Sequence, residues 1–368
     1  MKKEISRENV LEALKHVIHP EHEKDIVSLG MVDELEIKDM EVKFSLVLKK
    51  QNDPFATSLR NACINALKTH VSQDIEVAGN IEVKKKPAPT PEVPLSGVKN
   101  IIAVASGKGG VGKSTVAVNL AVALAGEGYA VGILDADVYG PSVPKMFEVE
   151  GSRPALEKVD GKDKITLVEK YGVSMLSVGF FVEPRDALVW RGPMATSALK
   201  QLINDGNWGD LDFLILDLPP GTGDVHLTMV QTIPVTGAII VSTPQDVALA
   251  DAVKGISMFT GDKVNVPVLG LVENMAWFTP AELPENKYYI FGKEGCKKLA
   301  EDEGLPLLGQ IPIVQSIREG GDSGKPAALD KGDPAGKSFI ALAKETVKAV
   351  NRRNAIQAPT KIVEIKTR

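Results

Sequence analysis

The sequence has little cysteine and no long apolar segment. Cys63 and Cys296 are the only cysteines among 368 residues, which excludes a framework of disulfide bonds. No run of about 18 or more apolar residues occurs, so we expect no membrane span. The first residues are polar and charged where a signal peptide would have an apolar stretch, so we expect a cytoplasmic protein.

The sequence also lacks a strong excess of charge and any internal repeat. Lysine and arginine number 43 against 48 aspartates and glutamates, for a net charge of -5. This balance does not favour a nucleic-acid partner. Hydrophobic residues make up 43% and charged residues 25% of the chain, which is typical of a globular protein. The length predicts more than one domain.

Residues 1–83 are predicted to form a small α+β domain. Apolar residues at positions 42, 44, 46 and 48 alternate with other residues, as they do in a half-buried strand. One helix is predicted to include Val10, Leu11, Leu14, Val17 and Ile18, and a second to include Phe55, Leu59, Ala62, Cys63, Ala66 and Leu67. Residues 84–97, rich in proline and lysine, are predicted to be a linker.

Residues 98–352 are predicted to form an α/β domain. Short apolar strands alternate with helical patterns, which indicates a mainly parallel sheet covered by helices on both faces. The predicted strands are 100–106, 129–135, 173–179, 211–219, 237–243, 268–274 and 306–312, and the predicted helices are Ser114–Ala125, Pro193–Asn204, Val247–Phe259, Lys293–Glu303 and Lys337–Val350. A polar tail is predicted over 353–368.

A phosphate-binding motif follows the first of these strands. It reads Gly107, Lys108, Gly109, Gly110, Val111, Gly112, Lys113 and Ser114, and matches G-x-x-x-x-G-K-[ST], the P-loop. The glycines let the loop wrap a phosphate, and the following helix adds the positive end of its dipole. We expect Lys113 to bridge the β- and γ-phosphates, Ser114 to bind Mg²⁺ and Thr115 to contact the α-phosphate.

Acidic residues end two further strands. Asp135 ends the strand at 129–135 and Asp137 lies two residues further on, and Asp217 ends the apolar run at 213–217. The carboxyl ends of parallel strands meet at one edge of the sheet, where ligands bind. Asp217 therefore matches the Walker B acid that holds Mg²⁺ through water, and the Gly221 N–H is placed to sense the γ-phosphate. An isolated aspartate in such a position more often caps a turn.

The lysine directly after the first glycine, Lys108, sets this P-loop apart. The motif resembles the deviant Walker A signature of the MinD, ParA, ArsA and nitrogenase iron protein class. The resemblance implies a homodimer in which Lys108 reaches the partner's nucleotide, Asp137 positions the attacking water and Asp217 is the Walker B acid. The alternative for Lys108 is a solvated loop charge.

Longer stretches are similar to the Mrp/ApbC family of iron–sulfur cluster carrier ATPases. They are ILDADVYGPSVPKMF, VWRGPM (Val189 to Met194), LDLPPGTGDVHLTM and GLVENMAWF. Residues 1–83 resemble the small iron–sulfur assembly domain fused in front of such proteins. The family resemblance implies that Asn274 contacts the adenine, whereas the residue type alone also fits a turn at a strand end.

The sequence departs from the family where the cluster would be held. Family members that carry a [4Fe–4S] cluster place a C-x-x-C shortly after the E-N-M segment, but residues 276–284 here contain no cysteine. One chain cannot supply four thiolates. Cys63 and Cys296 are therefore interpreted as buried apolar residues, with a ligand set shared across a dimer as the alternative. Residues 288–291, Tyr-Tyr-Ile-Phe, are interpreted as local core or as a partner surface.

Three functions remain open. The first is an ATP-hydrolysing iron–sulfur carrier or assembly factor, whose partners would be apo-protein clients or other assembly factors. The second is a cluster-free ATP-driven scaffold that handles a protein client through residues 276–292. The third is a ParA-like or MinD-like partitioning ATPase, which would need a basic surface or an amphipathic C-terminal helix; Pro359 interrupts any helix in that tail.

Overall fold

The structure is a computed structural model that describes residues 5–48, 53–77, 79–85, 95–181, 192–280, 282–283, 285–360 and 362–363. The chain divides into two compact units, Met1–Glu92 and Val93–Arg368. Most of the predicted linker, and Val189 to Arg191 of the VWRGPM stretch, lie outside the described residues. Within those residues no helix is both long and apolar enough to cross a membrane.

The first unit has a three-stranded sheet and two helices. Its elements are α1 (Arg7–Leu14), β1 (Val32–Lys38), β2 (Glu41–Leu48), α2 (Ala56–His70) and β3 (Ile81–Lys85). β2 is central, antiparallel to β1 and parallel to β3. The alternating residues of β2, with Phe44 and Leu46 among them, are buried against both helices. The predicted α+β fold of this unit is confirmed.

The first helix is shorter than the pattern predicted. α1 ends at Leu14, and the N–H groups of His16 and Val17 bond to carbonyls three residues back. Val17 is still buried, but Ile18 is exposed, so its predicted place on the apolar face was wrong. Pro20 excludes a return to helix around residues 16–20, because its ring clashes with the carbonyl four residues back and restricts the residue before it.

The second unit is built on an eight-stranded sheet. Its order is β13 (Leu307–Ile313), β12 (Val268–Phe278), β11 (Gly237–Ser242), β4 (Val98–Ala105), β10 (Leu211–Asp217), β5 (Val131–Asp135), β9 (Val173–Ser177) and β8 (Val168–Lys170). All neighbours are parallel except β8, which is antiparallel to β9. This arrangement confirms the predicted mainly parallel sheet.

Helices cover both faces of this sheet. One core contains side chains of α5 (Gly192–Asp205), α6 (Asp224–Thr232), α7 (Asp246–Thr260) and α8 (Gly295–Asp302). The opposite core contains side chains of α3 (Lys113–Gly126), α4 (Val143–Met146) and α10 (Pro334–Ile356), with α9 (Gln315–Asp322) at its margin. Central strands therefore lie between two apolar layers, which is why they read as continuous apolar runs.

Several short elements were not predicted. They are the hairpin of β6 (Leu156–Val159) and β7 (Lys162–Ile165), the edge strand β8, the helices α4, α6 and α9, and 3₁₀ turns at Val178–Phe180 and Ala327–Leu329. Most of the residues in β6 and β7 are exposed or half-buried, so they carry no apolar run. The remaining elements span three to nine residues, too short for a clear helical or strand period.

Strand β12 is followed by a segment that returns to the end of the strand. Phe278 and Tyr288 exchange two backbone hydrogen bonds of 2.8 Å, which bring Tyr288 alongside the end of β12. At the base of this segment the buried Glu273 carboxylate accepts hydrogen bonds from the Cys296 N–H, at 2.7 Å, and from Gln310 Nε2, at 2.7 Å. We call residues 274–295 the insert and this set of bonds its neck.

The end of the chain is attached to the second unit as far as it is described. The boundary predicted at residue 352 falls inside α10, and Arg353 is buried, donating to the Ala358 carbonyl and to Thr360 Oγ1. The Val363 N–H donates to the Val230 carbonyl. Arg353, Ala358, Thr360 and Val363 therefore contribute contacts to the unit.

Candidate nucleotide site

The P-loop joins the end of β4 to the start of α3. Gly110 and Gly112 have φ values of +84° and +81°, in the left-handed region that side chains with a Cβ avoid. Gly107 is close to α7: a Cβ there would lie 2.1 Å from the Asp251 carbonyl oxygen. The loop conformation thus depends on glycine at three positions of the motif. Its backbone and the first turn of α3 form a cradle of the kind that binds phosphate.

Lys113 lies in the centre of the site and is buried. Its Nζ is 2.5 Å from Asp217 Oδ1, 3.1 Å from Ser114 Oγ and 4.0 Å from Asp137 Oδ2. The predicted P-loop lysine and Walker B acid are therefore brought together, because β4 and β10 are neighbours in the sheet. In the described structure the Lys113 ammonium is paired with carboxylates. To bind a phosphate, it has to leave these carboxylates.

The carboxylates around Lys113 carry more charge than one ammonium can balance. Burial raises the pKa of Asp217, and the Lys113 ammonium opposes that rise. Burial also raises the pKa of Asp137, again opposed by Lys113. Asp217 Oδ2 is buried without a hydrogen-bond partner. An oxygen-rich, negatively charged site with a free carboxylate oxygen fits Mg²⁺, a hard cation that prefers oxygen ligands.

Asp135 has a different position from Asp137. It is fully buried, and its oxygens accept hydrogen bonds from the N–H groups of Asp137 and Val143, both at 3.2 Å, and from Ser177 Oγ at 3.0 Å. Burial, and then the charge of Asp217, raise its pKa to about 8. Asp135 therefore anchors the loop after β5, and this loop presents Asp137 to the site.

The loop after β10 contacts the P-loop directly. The Gly221 N–H donates to the Ser106 carbonyl at 2.9 Å, and Gly221 has a φ of +90°. Ser106 Oγ in turn donates to the Lys108 carbonyl at 2.9 Å. The two loops that enclose the site are thus linked through Ser106. We call residues 219–223 the switch loop.

Lys108 is half-buried and forms no ion pair within the part of the chain that the structure describes. Thr115 is also half-buried, and its carbonyl accepts a hydrogen bond from Asn119 Nδ2 at 2.8 Å. Among the described residues, neither side chain makes a contact that would keep it from binding nucleotide.

Asn274 lies against the P-loop. It is buried, and its Nδ2 donates to the Val111 carbonyl at 2.8 Å. A Cβ at Gly112 would lie 2.2 Å from the same nitrogen. The end of β12 therefore supports the P-loop conformation, and the adenine contact implied by the family resemblance stays a prediction.

The two cysteines lie in different units, and both are fully buried. Burial raises the pKa of each thiol to about 12. No group of three or more His, Cys, Asp or Glu among the described residues is arranged to hold a metal ion. A thiolate cluster needs deprotonated, converging sulfurs, and the residues described in one chain do not provide them.

The aromatic residues of the insert lie largely at the surface. Tyr288 is 46% and Ile290 61% exposed, and Leu283 is half exposed. Lys287 Nζ lies 3.9 Å from the centre of the Trp277 ring. The interpretation of residues 288–291 as local core was therefore wrong for Tyr288 and Ile290.

Sequence reasoning missed three polar residues of the site. Ser106 and Ser177 directly follow or end buried strands, so their place at the carboxyl edge was a usable signal. The third, His226, is in the first turn of α6 and is 1% exposed. Its sequence signal was a histidine directly after the glycine-rich switch loop.

Comparison with known proteins finds a matching family for each of the two units. Residues 97–347 match the family described as NUBPL iron-transfer P-loop NTPase, and residues 7–78 match the family described as iron–sulfur cluster assembly protein. The iron–sulfur cluster carrier protein of Synechocystis sp. is 41% identical over 343 residues, 93% of this chain and 97% of that protein. That of Aquifex aeolicus is 53% identical over 253 residues, 68% of each chain.

A solved structure resembles the second unit. A nucleotide-binding protein from Archaeoglobus fulgidus, determined in complex with ADP, is 35% identical with a TM-score of 0.57. The match covers 67% of this chain and 94% of that one. The likeness extends over most of the domain that carries the P-loop.

Proposed function

Because the chain belongs to the family of NUBPL iron-transfer P-loop NTPases, we propose that it is a nucleotide-gated homodimer that hydrolyses ATP to drive iron–sulfur cluster assembly. The observation that carries the proposal is the contact of Lys113 with Asp217 beneath a glycine cradle. This contact joins the phosphate-binding lysine and the metal-binding acid of a P-loop ATPase.

Lys113, Ser114 and Asp217 are the residues that would engage Mg·ATP. Ser114 Oγ and the free Asp217 Oδ2 supply oxygen ligands for Mg²⁺, directly or through water. The bound Mg²⁺ would offset phosphate charge. Lys113 would leave Asp217 for the β- and γ-phosphates, and the amides of residues 107–112 with Thr115 would hold the remaining phosphate oxygens.

Asp137 is the residue proposed to orient the attacking water. Its side chain is 13% exposed, and it lines a cavity of about 440 Å³ next to the site. The cavity is large enough for water. Asp135 accepts a hydrogen bond from the Asp137 N–H, so the backbone that carries Asp137 is anchored to the core.

Lys108 is proposed to act on the nucleotide of a second protomer. It is part of the P-loop and forms no ion pair among the described residues of its own chain. An ammonium reaching the γ-phosphate of a partner would stabilise charge that develops during phosphoryl transfer, and would make the dimer depend on ATP. Hydrolysis would then loosen the dimer.

The proposed cargo is iron and sulfide, which this protein would handle together with other proteins. The buried thiols of one chain do not form a ligand set, so we propose that assembly factors or apo-protein clients supply ligands. A cluster-free scaffold for a protein client is the second candidate. The exposed aromatic residues of the insert favour it, because a patch of this kind is typical of a contact surface.

Two lysine substitutions test the ATP-dependent dimer. Lys113→Ala is expected to weaken nucleotide binding by roughly 100-fold, because it removes the charged phosphate ligand. Lys108→Ala is expected to leave the affinity for ADP unchanged and to abolish both ATP-dependent dimerisation and turnover. Calorimetry, light scattering with a non-hydrolysable ATP analogue and phosphate release measure these three quantities.

Lys254→Ala is the matched control. Lys254 is an exposed lysine of α7 that pairs with Asp251, so it is expected to change none of the three quantities. Equal losses of nucleotide affinity in the Lys108 and Lys113 variants would contradict an action of Lys108 across the dimer.

A further inference from the structure

His226 is an unusual buried residue of the second unit. It is 1% exposed, and neither Nδ1 nor Nε2 has a hydrogen-bond partner. Burial lowers its pKa to about 4, so the ring is neutral at physiological pH. One nitrogen of a neutral imidazole is a donor and the other an acceptor, and both are left without a partner in this conformation.

An imidazole in this position needs an explanation. Buried polar groups nearly always have hydrogen bonds, and an unpaired one destabilises the folded state. The ring packs edge-on against Phe259, with centroids 6.4 Å apart, and an apolar side chain would satisfy that contact. Nearby Asp135, equally buried, accepts three hydrogen bonds. The histidine is therefore not explained by packing.

The surroundings of the ring indicate a partner. His226 lines the 440 Å³ cavity together with Asp137 and with Pro219, Pro220 and Gly223 of the switch loop. The carbonyls of Gly223 and Pro219 lie near enough to oppose the lowering of its pKa by burial, although neither forms a hydrogen bond with the ring. Two carbonyls of one loop thus lie beside the ring.

That loop has to move when it engages a phosphate. The Gly221 N–H is bonded to the Ser106 carbonyl, and it must leave this carbonyl to reach a γ-phosphate. Pro219 belongs to the same loop, two residues before Gly221, whereas the Gly223 carbonyl accepts a hydrogen bond from the His226 backbone N–H at 3.1 Å and stays with α6. A movement of the loop therefore changes the distance from the Pro219 carbonyl to the ring of His226, which α6 holds in the core.

We propose that His226 is a positioning residue for hydrolysis, whose ring N–H bonds to a switch-loop carbonyl only when the loop engages the γ-phosphate. The inference rests on the proposed ATPase function. The gain of a partner in one state favours that state. The water oxygen still bonds to the γ-phosphorus as the bond to the bridging oxygen breaks, and the water proton ends on the phosphate released. His226 takes no part in that proton transfer.

The test separates a positioning role from a packing role. His226→Leu removes both nitrogens and keeps an apolar side chain. We expect its urea midpoint to equal or exceed that of the parent and its ADP affinity to be unchanged. Its kcat and its preference for a non-hydrolysable ATP analogue over ADP are expected to fall about tenfold, the effect of one buried hydrogen bond. His226→Gln or His226→Asn, which keeps a donor, is expected to restore part of the kcat.

Met229→Leu, a buried volume-conserving change on the same helix, is the control for repacking and is expected to turn over normally. In the full-length parent protein, the ¹⁵N shifts of His226 are expected to differ between the ADP and ATP-analogue complexes. This reading does not depend on whether a variant folds.

Normal turnover and normal ATP preference in His226→Leu would overturn the inference, as would identical His226 shifts in the two complexes. Lys113→Ala is run alongside. If it loses nucleotide binding while His226→Leu is unaffected, only the role of His226 fails. If Lys113→Ala keeps full binding and turnover, the proposed nucleotide site itself is wrong.

Discussion

At the scale of single residues, the two thiols are shielded from solvent by different cores. Cys63 lies in α2 of the first unit and Cys296 in the first turn of α8, and both are fully buried. A thiol reacts as its thiolate, and burial raises the pKa of both to about 12. At pH 8 only about one thiol in ten thousand is ionised at such a pKa.

We therefore predict that neither cysteine reacts readily in the folded protein. Ellman's reagent at pH 8 is expected to label both thiols within seconds in guanidinium and to label the native protein orders of magnitude more slowly. Cys63→Ala assigns the remaining native rate to Cys296. Rapid labelling of a native thiol would contradict the burial described here and would reopen a role for that cysteine as a ligand.

Residue by residue, the sequence predicted the groups that belong to a local motif. Lys113 could be named from the P-loop motif, and Asp137 and Asp217 because they lie at or just after the ends of parallel strands, which meet at one edge. The contacts of Asn274 with Val111 and of Ser177 with Asp135 could not be predicted. They depend on the order of strands in the sheet and on side-chain rotamers, which no local pattern contains.

At the scale of elements, the P-loop and α7 are packed too closely for any side chain between them. A Cβ at Gly107 would lie 2.1 Å from the Asp251 carbonyl oxygen and 2.8 Å from the Ala252 nitrogen. These are backbone atoms in the middle of a helix, so they cannot move aside as a flexible side chain could. The helix therefore fixes where the P-loop begins.

We predict that Gly107→Ala destabilises the protein by about 1–3 kcal/mol, the usual effect of overpacking, and that it weakens nucleotide binding as well. Urea denaturation and calorimetry with ADP measure the two effects. Gly126→Ala is the control: it lies at the end of α3 with nothing within 4 Å of its Cβ, and it is expected to stabilise by about 0.5–1 kcal/mol. Normal nucleotide affinity in Gly107→Ala would contradict the close packing.

The long strands of the second unit were predictable because burial on both faces of the sheet makes them continuous apolar runs in the sequence. The seven predicted strands correspond to β4, β5, β9, β10, β11, β12 and β13. The helix α6 was missed although it positions His226, because its nine residues follow a run of prolines and glycines that reads as loop. The ends of elements near proline, such as α1, were the other source of error.

At the scale of the whole molecule, the chain combines an assembly-type unit and an ATPase unit, with one cysteine in each. Neither cysteine has other metal-binding side chains grouped with it among the described residues. We predict that anaerobic reconstitution with iron and sulfide leaves no stable cluster on the purified protein, although ATP-dependent dimerisation is intact. Iron quantitation and visible absorption provide the measurement.

The variants Cys63→Ala and Cys296→Ala serve as controls in that experiment. A stable signal near one [4Fe–4S] cluster per dimer that is lost in either variant would contradict the prediction. It would establish a ligand set shared by two protomers, since one chain has only two thiols and such a cluster usually takes four.

The neck of the insert has a consequence for how this protein family can change. Glu273 joins the end of one strand to the first turn of α8 through buried hydrogen bonds, so the residues between them begin and end at fixed points. Asn274 contacts the P-loop and residues 274–278 belong to β12, so the part of the stretch free to change without disturbing the sheet or the nucleotide site begins after Phe278. The C-x-x-C that the family resemblance implies and the cysteine-free segment of this chain would thus occupy the same position in the fold. Metal ligands can be gained or lost in that part of the insert without disturbing the fold, so such a change is a small evolutionary step.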